Sequence, residues 1–251
     1  VGDDGSLNFY DGNIRLMKPD GSFVDFHDSE YLNNIGEHVT DVSYGKFPYA
    51  KSWDEGFSMD LSAPKGIYRS NCLARINVCD AISTKLAQAE LEEFRKNFGR
   101  PAQHTLLYHW ARLIELVYAC EKTLELLSDK NIVNNKTRID VTPGAGRGVG
   151  HVEAPRGTLI HDYTTDENGL IVSANMIVGT THNLAPISMS VEQSARLLIQ
   201  NGHVDETILN KVEMAVRAYD PCISCSTHRL DGGTIIDVKI IHSNCQEVCC
   251  N

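Results

Sequence analysis

Apolar positions along this chain change period several times, and each change marks an expected element. Residues 7–27 run as short apolar stretches with Asp11-Gly12 and Asp20-Gly21 between them, which predicts short strands and a hairpin. Residues 28–70 carry scattered glycine, proline and aromatic residues and hold no period. Ile76, Cys79, Ile82, Leu86 and Ala89 then recur at helical spacing. They predict one helix from Leu73 to Phe98, stopped by Gly99 with Pro101 beyond. Leu106, Trp110, Leu113, Val117, Cys120, Leu124 and Leu127 alternate steps of four and three, the mark of one apolar seam on a long helix packed against a neighbour. Such a stripe is core material and is assigned no chemistry.

From residue 136 the pattern returns to strand and loop. Thr158–Tyr163 and Leu170–Val178 flank Asp166-Glu167-Asn168-Gly169, where Asn-Gly suits a tight turn. Ser190 with Gln193 reads as a capping box that opens a helix reaching about Gln200. Asp205 reads as the cap of another helix, with Ile208, Leu209, Val212, Val216 and Tyr219 on its apolar side. The expected fold class is therefore mainly α with small β elements (α+β), in one main domain.

Composition narrows the function classes. The 251 residues allow a real core, and a formal net charge of -10 argues against nucleic acid as a partner. No apolar run approaches the roughly 18 residues of a membrane span. The start, VGDDGSLNFY, is acidic and polar, unlike a signal peptide, and its lack of an initiating Met fits a fragment or a trimmed chain. Eight cysteines at irregular spacing are no disulfide framework and suit a reducing cytoplasm. Cys72, Cys79 and Cys120 are expected to be buried on helices.

The densest chemistry is Asp220-Pro221-Cys222-Ile223-Ser224-Cys225-Ser226-Thr227-His228. Pro221 ends the preceding helix, and two cysteines three apart can turn both sulfurs toward one metal ion. Taken alone, the pair is open between half a zinc site and a redox dithiol. The glycine-rich run Gly144–Gly150 fits neither dinucleotide nor P-loop spacing, so no nucleotide is predicted on this chain and the run reads as a flexible lead into Glu153–Arg156.

Three motifs in order carry a resemblance: Glu153-Ala154-Pro155-Arg156-Gly157 with His161, then Thr180-Thr181-His182-Asn183, then the Asp220–His228 run. Together they resemble the C-terminal half of the large, catalytic subunit of nickel–iron hydrogenases. The wording VEMAVRAYDPCISCSTH is most similar to the cytoplasmic group that includes methyl-viologen-reducing and F420-reducing enzymes. The resemblance implies a helix-bundle core of that type and reversible oxidation of H2 to protons and electrons. It implies a nickel–iron centre with cyanide and carbon monoxide on iron. Cys222 would be a terminal nickel ligand and a proton acceptor, and Cys225 would bridge the metals. Arg156 would lie over the open side of the centre and contact one cyanide, and Thr180 would hydrogen-bond the other. His228 would bind magnesium within a shell of oxygen and water. Many members carry Pro where this chain has Gly179 and Trp where it has His182. His161 and His182 are each open between relaying protons and holding structure.

The family's N-terminal RxCGxCxxxH does not occur in this sequence, so two of four thiolates are missing and the isolated chain is expected to be inactive, as a fragment or one piece of a split subunit. Residues 1–228 would form a single domain, and 229–251 an extension that a maturation endopeptidase removes. That extension would hold the cysteine segment open until metal is loaded, with a strand over Thr234–Ile241; a separate site of His242, Cys245, Cys249 and Cys250 is the rival reading. Implied partners are the N-terminal half of the large subunit, a small subunit with iron–sulfur clusters and an F420- or flavin-binding subunit. The competing functions are a non-catalytic assembly module related to hydrogenases and a zinc or dithiol domain.

Overall fold

A computed structural model describes residues 1–41, 43–226, 240–241 and 247–248, and for Ser224, Ser226, Ile240, Ile241, Glu247 and Val248 the backbone only. Its architecture is mixed helix and strand, as the alternating periods imply. Strands β1 (Ile14–Met17) and β2 (Phe23–Phe26) form the expected antiparallel hairpin around Asp20-Gly21. A short helix α1 (Tyr31–Asn34) leads into a second hairpin, β3 (Ile35–His38) with β4 (Phe47–Ala50). Helices α2 (Cys72–Val78), α3 (Lys85–Phe98) and α4 (Leu107–Ser128) follow.

The predicted single helix from Leu73 to Phe98 is thus two. The chain leaves helical geometry at Cys79 because Ser6 bridges Ala81, and the Leu7 amide donates to the Ala81 carbonyl at 2.8 Å. The restart shifts the apolar face of α3 to Ala87, Leu91 and Phe94, leaving Leu86 and Ala89 exposed.

The long helix forms as expected, but its buried side differs. Tyr108, Ala111, Ile114 and Tyr118 face the core, while Leu113, Leu124, Leu127 and Cys120 face solvent. Trp110 and Val117 alone of the predicted seam pack partly against the core, Trp110 meeting Phe94 and Phe98 edge-on. Cys72 and Cys79 are buried as anticipated, and burial pushes the Cys72 thiol up to about 12.

The glycine run does not form a loop. It opens β5 (Gly146–Ala154), the first strand of an antiparallel sheet ordered β5-β6-β7 with β6 (Gly157–Thr165) and β7 (Ile171–Ile177). Gly169 takes φ 77° in the Asp166–Gly169 turn between β6 and β7, as that turn requires. A 3-10 turn, Gly179–Asn183, then runs directly into α5 (Leu184–Leu198). Ser190 is therefore inside that helix and caps nothing; its hydroxyl meets Tyr219 Oη at 3.0 Å. Asp205 does cap α6 (Glu206–Ala218), accepting from the Ile208 amide at 2.8 Å.

Two apolar clusters result. One joins α2, α3 and α4 with Ile187, Ala218 and Tyr219. The other joins β1, Phe26, Tyr31, Ile35 and Ala50 with Ile160 and Ile177 of the sheet. Among the described residues no helix is long and apolar enough to cross a membrane. Within residues 229–251, Ile240–Ile241 pairs antiparallel with Glu247–Val248. The rest of the expected strand, and His228, His242, Cys245, Cys249 and Cys250, lie outside the described residues.

Candidate metal centre

The three motifs meet at one place. α6 ends at Ala218, and Asp220, at φ 49°, turns the chain with Pro221 next, so the two cysteines leave a helix end as their spacing suggested. A four-residue helix α7 (Ile223–Ser226) follows and packs on the Gly179–Asn183 turn. The Cα atoms of Cys222 and Cys225 stand 5.3 Å apart, and their sulfurs converge, joined as a disulfide. The Cys222 amide donates to Thr180 Oγ1 at 3.0 Å, linking two motifs that lie 42 residues apart.

Arg156 sits at the two-residue turn between β5 and β6, where Ala154 pairs with Gly157. Its Nε lies 3.5 Å from Asp220 Oδ2, and both side chains are 46% exposed. The ion pair therefore goes to the cysteine segment and not to Glu153. Pairs this open are weak, so most of the guanidinium's donors stay available. Gly157 explains why this turn can approach Gly179: a Cβ there would lie 2.5 Å from the Gly179 carbonyl oxygen and 2.8 Å from Ser70 Oγ.

Glu153 has a structural task. Arg75, 4% exposed, binds Glu115 through Nε at 2.6 Å and Nη2 at 2.7 Å, and reaches Glu153 and the Ala154 carbonyl through Nη1, each at 2.9 Å. Burial opposes the charge on Arg75, but Glu115 and Glu153 outweigh it and raise its pKa. Thr158 Oγ1 donates to the other Glu153 oxygen at 2.6 Å.

The four residues Thr180–Asn183 are all buried. His182 Nδ1 meets Tyr68 Oη at 2.5 Å, and burial lowers its pKa to about 4, so the ring is neutral and held, which favours the structural alternative. His161 lies 2.9 Å from Tyr163 Oη, on β6 and away from the cysteines.

The segment Tyr68–Asn71, at the end of the stretch without period, is what the sequence did not reveal. The Ser70 amide donates to Asn183 Oδ1 at 2.9 Å, and the Thr158 amide donates to Ser70 Oγ at 3.1 Å. Asn71 Nδ2 donates to the Tyr219 carbonyl at 2.8 Å. The only local hint was Asn71, of a type that tolerates the φ of 82° it adopts before α2.

As a metal site, the two cysteines would form a soft donor pair. Once the disulfide is reduced, two thiols on one turn would fit a thiophilic ion, with the Thr180 hydroxyl and the Arg156 guanidinium on the neighbouring turns. Among the described residues no three His, Cys, Asp or Glu side chains gather where they could share an ion.

Comparison with known proteins bears on the family. The profile of the nickel-dependent hydrogenase family matches residues 69–228. In the F420-non-reducing hydrogenase vhu of Methanococcus voltae, one subunit is 47% identical over 199 residues, covering 79% of this chain and 46% of that protein. The beta subunit of the NAD-reducing hydrogenase HoxS of Cupriavidus necator is 40% identical over 237 residues, covering 92% and 46%. A crystal structure of an NAD+-reducing NiFe-hydrogenase in the H2-reduced state superposes with a TM-score of 0.81 at 38% identity, covering 91% of this chain and 49% of that one. The chain spans about half the length of the curated relatives it matches.

Proposed function

Because this chain belongs to the nickel-dependent hydrogenase family, we propose that it is the region of a nickel–iron hydrogenase large subunit that supplies two of the centre's thiolates for the interconversion of H2 with protons and electrons. The observation that carries the reading is the meeting of Arg156, Thr180 and the Cys222–Cys225 pair at one turn. When bound, a nickel–iron centre with cyanide and carbon monoxide on iron supplies the splitting of H2 and the storage of its electrons.

The chain's own residues then have distinct tasks. Cys222 and Cys225, reduced and deprotonated, hold the soft metals, and Cys222 Sγ takes up a proton. Thr180 accepts from the Cys222 amide, which fixes the turn and leaves its own hydroxyl proton free to donate toward a cyanide. Arg156, tethered only loosely to Asp220, offers charged donors to the other cyanide. His228 takes a place in a magnesium shell. The similar proteins named F420-non-reducing support the methyl-viologen-reducing kind of enzyme within the cytoplasmic group. The N-terminal half of the large subunit supplies the other thiolates. An iron–sulfur small subunit carries electrons away toward a flavin-binding subunit, the F420-binding alternative being disfavoured by the names of the F420-non-reducing relatives, and a maturation endopeptidase acts after His228, with 229–251 as the piece removed.

Metal content decides the matter. Isolated without oxygen from its native host with whatever co-purifies, the chain should carry nickel, with iron in excess of it because the small subunit's clusters add their own, and Cys222→Ser with Cys225→Ser should abolish the nickel. Zinc in place of nickel, or no nickel in the assembled material, would overturn the reading. The 251-residue chain by itself should show no H2-dependent dye reduction, because two thiolates do not complete the site.

A further inference from the structure

Residues Ser70 and Asn71 bond to one of the three motifs and to residues directly adjoining the other two, yet neither belongs to one. Ser70 Oγ receives the Thr158 amide, just past Arg156-Gly157, and its backbone amide binds Asn183. Asn71 Nδ2 binds the carbonyl of Tyr219, the residue before Asp220, at 2.8 Å across 148 positions of sequence. Its Oδ1 accepts from the Cys72 amide at 2.6 Å and so caps α2. Asn71 is fully buried. Tyr219, also buried, is held on its ring side by Tyr108 at 4.7 Å and on its hydroxyl by Ser190.

The backbone that leaves Tyr219 is therefore gripped on both sides before it turns at Asp220 and reaches Cys222. A dithiol binds one ion well only when its two sulfurs are held in place in advance, because the ion otherwise has to order them. We propose that Asn71 is a positioning residue for the metal-binding turn: its amide, anchored on α2, sets the Tyr219 carbonyl and with it the direction of the Cys222–Cys225 segment. The inference rests on the reading of that pair as metal ligands. It concerns a residue that touches neither metal nor substrate and acts through the peptide at Tyr219.

The test is titration of the full, reduced 251-residue chain with cadmium(II), a thiophilic probe. Thiolate-to-metal charge-transfer absorbance is read as the difference from the Cys222→Ser, Cys225→Ser variant. Asn71→Asp keeps an acceptor for the Cys72 amide but turns a carboxylate oxygen on the Tyr219 carbonyl. Asn71→Gly keeps the φ of 82° at no steric cost and removes the amide, so it decides the matter if the Asp variant does not fold. Asn77→Ala is the structural control. Asn77 is buried and makes two side-chain bonds to Ala102, each 2.9 Å, and none to the cysteine segment.

Both Asn71 variants should bind cadmium about tenfold more weakly, the upper end of what one neutral hydrogen bond contributes, while Asn77→Ala lowers the melting temperature and leaves affinity unchanged. Equal affinity in the parent and both Asn71 variants would overturn the positioning role while the metal reading stands. An equal loss in Asn77→Ala would overturn it too, since general loosening would then suffice. If the parent chain shows no cysteine-dependent binding, the reading of the pair as metal ligands fails, and this inference with it.

Discussion

The junction of Tyr68–Asn71, Glu153–Thr158, Gly179–Asn183 and Tyr219–Cys225 and the long helix α4 are built on opposite principles. In the junction, polar side chains are buried and nearly every one is matched by a named partner far away in sequence. In α4, the regularity is local and apolar, and much of it faces water: Leu113 is 61% exposed and Leu124 68%. The junction tolerates little change because an unmatched buried group keeps its full desolvation cost. The outer face of α4 has little to lose in this chain. Burial with a partner, and not strength of pattern, should therefore rank the effects of substitution.

Arg75 puts the junction to its hardest test. Arg75→Met keeps the volume and removes the charge, leaving the Glu115 and Glu153 carboxylates, 11% and 16% exposed, without their cation. The loss should be about 3–5 kcal/mol in urea unfolding. A loss below about 1 kcal/mol would mean that the junction is no more demanding than a surface ion pair.

How much of this was legible beforehand follows the same division. The Asp20-Gly21 hairpin, the Asp205 cap and the Asp166–Gly169 turn depend on neighbours in sequence, and all three form where local chemistry placed them. So does α4 as an element, but periodicity names a stripe and not the side that gets covered. That depends on Phe94 and Phe98 of α3, which draw in Trp110 and leave Leu113 outside. The break between α2 and α3 was illegible because Ser6, far upstream in the chain, makes it. The candidate site was legible only as separate motifs. Ser70 ends the stretch with no period and Asn71 follows it, and nothing local announces bonds to Thr158 and Tyr219.

Acid should reveal the junction next. His182 is fully buried and neutral, with its pKa lowered from 6.5 to about 4 by desolvation. The unfolded chain binds a proton between those values and the folded chain does not. The contribution of His182 is thus complete above the unfolded value and is lost as pH falls through this window. The slope is about 1.4 kcal/mol per pH unit, roughly 3 kcal/mol in all. His182→Gln should flatten the pH dependence of unfolding free energy in that window relative to the parent. Parallel curves would show that the ring is protonated in the folded state.

Gly157→Ala probes the contact of two turns. At φ 140° and with the Gly179 oxygen 2.5 Å from the new carbon, the turn must move or Gly179 must. A loss of about 1–3 kcal/mol is expected, with thermal unfolding as the measurement. A neutral outcome would mean that the two motifs touch without depending on each other.

The smallest effect belongs to α4 and sharpens the comparison most. Leu113 and Ile114 are neighbours with similar side chains, and only Ile114, 1% exposed, is covered. Trimming Leu113 to Ala removes three carbons from a surface residue and should change stability by no more than about 0.5 kcal/mol. Trimming Ile114 to Val removes one methyl from a packed site and should cost about 0.5–1.5 kcal/mol. The larger deletion is thus expected to do less. Chemical denaturation of the two variants side by side reads the order directly. If Leu113→Ala proved the costlier of the two, the predicted seam would be a buried face of this chain in solution, and the division between a matched junction and an uncovered helix face would fail at its second term.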